Sequence, residues 1–419
     1  MRRWPRPLLL ALSALVVAFV LLGPLAVRGL DQDGFYSQLR LFTDVMGKVR
    51  KNYVEEVETS QLLRGALFGL TDGLDPFSGY LNEEQLTAYR ELRDHQRADV
   101  GLEVAKRGLD YGYVVAVREG GPAWKAGVRS GMMLRAIDGI STFDQPLFEI
   151  EKRLTGAEAS QANLSIQQPS ERDPRIVTVT RELWHGPMVQ LQRPQPDAVI
   201  VRLLALEPGA AQEIAAALEP LALSGDTALL LDLRDLESSD LQEAARVADL
   251  FLHDGTVATV STRGGQAEPL RAESDQIRSE SLTRLAVLVN QGTAGASEAI
   301  AAALKTLGGA KLLGSPTFGK RSLQTLVPLD QGAALLISTA RFQASGDSPA
   351  VLQSRHRVED DSEAAESPEG EESDRIEPDQ LRLKPDLEIP LEDESAAAYL
   401  QQRSAALEKL LAGAAPAAS

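Results

Sequence analysis

The sequence predicts an α/β fold: a core of alternating strands and helices, a helical module ahead of it, and a β-rich domain inserted between the two. Three observations predict it. Between Phe35 and Tyr53 apolar residues recur every three or four positions, the face of an amphipathic helix. From Val100 to about Glu182 the pattern shortens to brief β-like runs punctuated by glycine. From Ala198 onward, buried-strand runs alternate with helical stretches, as in a sheet covered by helices.

Composition sets the outer limits. The chain has 419 residues, 43% hydrophobic and 25% charged, which is globular composition at a length suited to more than one domain. Lysine and arginine number 43 against 60 aspartates and glutamates, giving a formal net charge of −17, so no broad nucleic-acid-binding surface is expected. The absence of cysteine removes disulfides, thiol catalysis and thiolate-bound metal. His95, His185, His253 and His356 include no pair at a helical metal-ligand spacing, and no metal or other cofactor is expected. His253, near a helix end, reads as a terminal cation.

At the N-terminus, Arg2, Arg3 and Arg6 precede an uncharged apolar run from Pro7 to Val27. As a helix this run spans about 30 Å, the thickness of a hydrocarbon core. The arginines favour a cytoplasmic N-terminus with the rest exported. Residues 1–30 are therefore expected to be one transmembrane helix anchored in the inner membrane, with the body in the periplasm. A cleaved signal peptide is the competing reading, although Gly23-Pro24-Leu25-Ala26-Val27-Arg28 offers no clear cleavage site.

Residues 31–97 read as a helical packing module. After the Phe35–Tyr53 helix, a second runs from about Leu62 to Leu70. Asp75-Pro76-Phe77-Ser78 breaks the pattern, and a third segment passes through Leu86 and Tyr89.

Residues 98–183 read as a β domain. Its centre is Gly120-Gly121-Pro122-Ala123-Trp124-Lys125-Ala126-Gly127, a short helix started by proline and ended by glycine. A strand through Leu134 and Ile137 then closes in an Asp138-Gly139 turn. The glycine and proline spacing resembles a PDZ domain in the permuted form of bacterial proteases. That resemblance implies a peptide C-terminus added as a strand, its carboxylate captured by amides of a glycine-containing loop. By position the loop and strand are Val100-Gly101-Leu102-Glu103-Val104, making Gly101, Leu102 and Val104 the candidate peptide-binding residues.

Residues 184–357 form the expected core. Strands are predicted at Ala198–Leu204, Ala228–Leu233, Val257–Ser261, Leu285–Asn290, Lys311–Gly314 and Ala334–Phe342, with helices at Gly209–Leu223, Leu241–Leu252 and about Ala296–Leu307. Residues 358–380 hold eleven acidic side chains and one base, a local charge of −10 with almost nothing apolar, and read as a disordered insertion. Residues 381–395 return to the core, and 396–419 read as a C-terminal tail.

The chemistry is sought in Val287-Leu288-Val289-Asn290-Gln291-Gly292-Thr293-Ala294-Gly295-Ala296-Ser297-Glu298, a buried strand turning into a helix. Gly314-Ser315-Pro316-Thr317-Phe318-Gly319-Lys320 and Gln324 follow. With Asp75-Pro76-Phe77-Ser78, Asp232-Leu233-Arg234 and Lys384-Pro385-Asp386, these resemble the carboxyl-terminal processing peptidases, also called tail-specific serine proteases.

The resemblance implies a processing-protease α/β core with a Ser–Lys dyad. Lys320 matches the general base, which must be neutral to act, and Gln324 matches the glutamine that orients it. The nucleophile is the middle serine of a Ser-Ala-Ser-Ala-Ser-Glu-like run, and here that position is Gly295, 25 residues before Lys320. Two positions along a helix turn Ser297 to the opposite face, where it suits the helix start beside Glu298. Ser297 and Thr293 stay open as substitutes. After Asp-Leu-Arg the family carries Asn-Pro-Gly-Gly, an oxyanion loop; Ser238 and Ser239 are read at its glycines, with Ala296 as the other expected amide donor.

Three functions follow from the resemblance. One is a pseudopeptidase that binds polypeptide C-termini, unfolded proteins or a protein partner without cutting. Another is an active serine endopeptidase using Lys320 with an unconventional nucleophile such as Ser297. The last is a PDZ adaptor whose α/β domain is structural and supports homo-oligomers.

Overall fold

The computed structural model describes residues 32–75, 77–93, 98–106, 111–143, 145–184, 186–221, 223, 227–272, 284–348, 381–390 and 396–412. The proposed anchor (1–30) and the acidic insertion (358–380) lie outside the described residues. Among the described residues no helix is long and apolar enough to cross a membrane.

The chain divides into two compact units, residues 1–67 and 68–419. The first contains α1 (Gln32–Asn52) and the start of α2 (Thr59–Asp72). Arg50 and Lys51 in the last turn of α1 suit its negative dipole end.

After the end of α2, the second unit continues with β1 (Gly79–Leu81) and α3 (Glu83–Arg93). A reciprocal box starts α3: the Gln85 amide donates to Asn82 Oδ1 at 2.8 Å, and the Asn82 amide to Gln85 Oε1 at 3.0 Å. A β domain follows, built from β2 (Leu102–Ala105), β3 (Gly112–Val117), α4 (Pro122–Lys125), β4 (Met133–Ile137), β5 (Ile140–Ser141), α5 (Leu147–Leu154), β6 (Gln161–Gln167) and β7 (Arg175–Thr180). Its antiparallel sheet runs β2-β3-β4-β6-β7, with β5 folded onto β4. Asp138 and Gly139 turn that hairpin at φ 49° and 78°, the left-handed pair that a two-residue turn requires.

The core comprises β8 (Val189–Gln195), β9 (Ala198–Leu203), α6 (Ala210–Leu218), β10 (Ala228–Asp232), β11 (Glu237–Ser238), α7 (Leu241–Asp249), β12 (Gly255–Thr262), β13 (Glu268–Ala272), β14 (Arg284–Val289), β15 (Ala294–Gly295) and α8 (Ala296–Thr306). It continues through β16 (Lys311–Gly314), β17 (Ser322–Pro328), β18 (Ala334–Ala344), β19 (Leu387–Glu388) and α9 (Ala396–Ala412). A six-stranded sheet runs β19-β16-β14-β10-β9-β8, parallel except for β8. Alternation along its strands serves two faces. Leu229, Leu231, Val287 and Val289 pack with Ile214, Val247 and Ile300 of α6, α7 and α8. Leu230 and Leu288 pack on Ala406 and Leu407 of α9.

Three sequence expectations need correction. The predicted strands at 257–261 and 334–342 do not join this sheet. As β12 and β18 they form a second, antiparallel one, β1-β18-β12-β13 with β17 beside β18. Their mostly half-buried side chains fit such a sheet, whereas β9 and β10 are buried throughout. Residues 79–81, inside the stretch read as helical, are a strand of that second sheet, too short to show a period. Most of the supposed tail is α9. Arg403 Nε donates to Asp232 Oδ2 at 2.8 Å, and Arg234 Nη1 donates to Gln402 Oε1 at 2.8 Å, fastening this helix beneath the sheet.

Candidate functional site

The site lies where open α/β sheets place theirs, beyond the carboxyl ends of adjacent parallel strands. Strand β14, buried along most of its length, ends at Val289, and the chain turns through Asn290 to Thr293. The Asn290 carboxamide holds the turn to the neighbouring loop: Oδ1 accepts from Asp235 N at 2.9 Å and Gly292 N at 3.0 Å, while Nδ2 donates to Asp235 Oδ1 at 3.2 Å. Ala294 and Gly295 then pair in parallel with Glu237 and Ser238, and α8 begins at Ala296.

Gly295 sits at φ 68°, ψ −126°. A Cβ built there would lie 2.2 Å from the Ser238 carbonyl oxygen, closer than real side-chain contacts come. The position is thus without a nucleophile and also closed by backbone. Its amide donates to Glu298 Oε2 at 3.0 Å.

Lys320 is brought in by the loop after β16. The buried Glu298 carboxylate anchors that loop by accepting from Thr317 Oγ1 (2.6 Å), Gly319 N (2.9 Å), Lys320 N (2.9 Å) and Arg321 Nη1 (3.1 Å). The Lys320 ammonium goes elsewhere: Nζ donates to Glu237 Oε1 at 2.7 Å and lies 4.5 Å from the centre of the Phe77 ring. Phe77 is set by Asp75, which accepts from Phe77 N and Ser78 Oγ, both at 2.8 Å. Glu237 Oε1 is also 3.7 Å from the Cβ position at 295. One carboxylate therefore stands between the Lys320 ammonium and the side-chain position at 295, the two positions expected to form the dyad, where a Ser–Lys dyad needs a direct hydrogen bond. Glu237 is the residue that sequence reasoning missed.

The oxyanion loop also needs a correction. Counting Asn-Pro-Gly-Gly from Asp235 puts the glycine positions at Glu237 and Ser238, one residue before the pair named from sequence. Neither Ser238 nor Ser239 has a positive φ; Asp235 does, at 50°. Ser238 is held instead by hydrogen bonds, Oγ donating to Leu206 O at 3.0 Å and accepting from Asp240 N at 3.1 Å.

The two substitute hydroxyls are engaged. Ser297 is wholly buried; its Oγ donates to the Leu236 and Ala294 carbonyls and accepts from Ala294 N. Thr293, equally buried, donates to Leu233 O at 2.8 Å and accepts from Asn290 N at 3.1 Å. Gln324 Nε2 donates to Ser322 Oγ and Ser338 Oγ at 3.1 and 3.0 Å, so its amide is turned to serines and not to the lysine.

Beneath the site, the Asp-Leu-Arg motif is structural. Burial would raise the Asp232 carboxyl, but Arg234, Arg202 and Arg403 hold it far below the ordinary range. Glu119 of the β domain joins this group, 2.7 Å from Arg202 Nε and 2.9 Å from Arg403 Nη2, and is likewise lowered against the effect of burial. Burial pushes Asp235 the other way, upward, with Arg202 only partly offsetting it.

The β domain also contacts the site. Tyr113 lies 6.2 Å from the Phe318 ring, and Ala105 and Val115 pack on Ala294. Of the candidate peptide-binding residues, Leu102 and Val104 are on β2, an edge strand of the domain sheet, and Gly101 precedes it at φ 75°. The Gly101 amide donates to Asp99 Oδ1 at 2.7 Å. Among the described residues no three His, Asp or Glu side chains converge as metal ligands.

The profile of Peptidase family S41 matches residues 197–363. A carboxy-terminal-processing protease of Bartonella bacilliformis is 30% identical over 323 residues, covering 74% of this chain and 72% of that protein. A probable CtpA-like serine protease of Staphylococcus aureus is 28% identical over 321 residues; the match covers 76% of this chain and 64% of that protein, less than two thirds of its length. Among solved structures, the photosystem II D1 C-terminal processing protease superposes with a TM-score of 0.63 at 23% identity, over 84% of this chain and 89% of that one, a likeness of fold.

Proposed function

This chain belongs to the carboxy-terminal-processing proteases of Peptidase family S41, and we propose that within that family it is a pseudopeptidase, binding polypeptide without cutting it. The supporting observation is Glu237: its carboxylate takes the Lys320 ammonium at 2.7 Å and stands 3.7 Å from the side-chain position at Gly295. Hydrolysis would need a serine hydroxyl in that space, with its proton passing to a free lysine. The engaged hydroxyls of Ser297 and Thr293 leave the active-endopeptidase reading without a nucleophile.

The retained capacity is binding. The β domain acts as a PDZ-like module whose β2 edge takes an extended chain as an additional strand. The apolar run at 7–27 anchors the protein in the inner membrane, with the body in the periplasm. A photo-crosslinking residue at Leu102 tests the binding role. Illumination with an unfolded protein should give an adduct containing the intact client. Adducts from other surface positions but none from Leu102 would overturn it.

A further inference from the structure

The inference below rests on the reading of β2 as a peptide-binding edge. Strand β2 pairs with β3 alone among the described residues and is an end strand of its sheet, the position at which an extended chain can add as a further strand. A free C-terminus could gain more than strand pairing only if its carboxylate met an unspent donor or cation at the head of β2.

Two of those groups, the Gly101 amide and the Arg118 guanidinium, are already engaged. The Gly101 amide donates to Asp99 Oδ1 at 2.7 Å. The Arg118 guanidinium forks onto the same carboxylate, with Nη1 at 3.0 Å from Oδ1 and Nη2 at 3.3 Å from Oδ2. Arg118 is itself held over the Trp184 ring, 5.0 Å from its centre. Asp99 is fixed from behind, exchanging backbone hydrogen bonds of 3.0 and 3.2 Å with Glu182. The Arg118 amide closes the loop by donating to Gly101 O at 2.9 Å. A ligand carboxylate arriving here would meet a like charge whose partners are in place.

We infer that Asp99 is a built-in stand-in for a ligand carboxylate, making β2 a receptor for internal extended segments of polypeptide and not for free C-termini. Asp99 is then the residue that sets the specificity of the groove.

The test compares one short labelled peptide as free acid and as C-terminal amide, titrated by fluorescence anisotropy into the full chain. The wild type should bind both forms equally. Asp99→Ala, which frees Gly101 N and Arg118, should favour the acid by about ten-fold or more. Asp99→Asn, which keeps an acceptor for Gly101 but drops the charge, should shift in the same direction by less and guards against misfolding of the alanine variant. A ten-fold acid preference in the wild type, or an unchanged ratio in both variants, overturns the inference while leaving peptide binding intact. Failure of wild type and variants to bind either form overturns the groove itself, and the inference with it.

Discussion

Restoring a serine at position 295 should damage the protein before it helps it. The Cβ of Gly295→Ser would be 2.2 Å from the Ser238 carbonyl oxygen, so the loop must retreat by about 1 Å to reach ordinary contact. That loop is tied down: Leu236 O accepts from Ala294 N at 3.1 Å and from Ser297 Oγ, and Ser238 Oγ donates to Leu206 O at 3.0 Å. Losing one or two such bonds costs about 1 kcal/mol each. A non-glycine residue at φ 68° adds about 1–2 kcal/mol of strain. Gly295→Ser should therefore be destabilised by about 2–4 kcal/mol, lowering the melting temperature by several degrees. It should cleave nothing, because Glu237 still holds Lys320. Adding Glu237→Gly and Ser238→Gly frees the lysine and lets the loop carbonyl swing away. Digestion of an unstructured protein by this triple variant should then exceed that of the single variant by about 100-fold or more. A Gly295→Ser protein that melts with the wild type and cuts as fast as the triple variant would refute the steric reasoning.

Asp235→Asn tests burial of a carboxyl whose titration is raised by folding. The native carboxyl's contribution is present in full below its unfolded value, about pH 4, and is lost as pH rises through the folded one. The variant should match the wild type in urea unfolding at pH 3 and be the more stable of the two at pH 7; a loss at pH 7 would contradict this. Arg403→Ala leaves Asp232 and Glu119 short of a cation in a buried group, and chemical denaturation should show a loss of about 3–5 kcal/mol, against no measurable change if α9 is dispensable. For topology, protease added to spheroplasts should degrade residues beyond the apolar run; protection until the inner membrane is broken would reverse the assignment.

The placement of Gly295 and Lys320, on which the pseudopeptidase proposal rests, was legible because it depends on order along the chain: Gly295, Ser297, Lys320 and the strand before them keep their spacing in any fold that resembles the family. Four of the six strands of the main sheet, β9, β10, β14 and β16, were legible as mainly apolar runs bounded by turn residues. Glu237 was not. Its role depends on β11 pairing with β15, a two-residue contact between distant segments that leaves no period in the sequence. The second sheet was hidden because β12 and β18, mostly half-buried, show no clear period, and because β1 is so short. Asp99 was invisible for another reason: an aspartate two residues before a glycine reads as ordinary turn chemistry until Arg118 is seen closing on it.

The central claim is that Lys320 and Gly295, separated by Glu237, do not hydrolyse peptide bonds. Its most direct test is prolonged incubation of the wild-type chain and Lys320→Ala with an unstructured protein, followed by mass spectrometry of the products. The account predicts an intact substrate in both samples. Fragments produced by the wild type and absent with Lys320→Ala would contradict it.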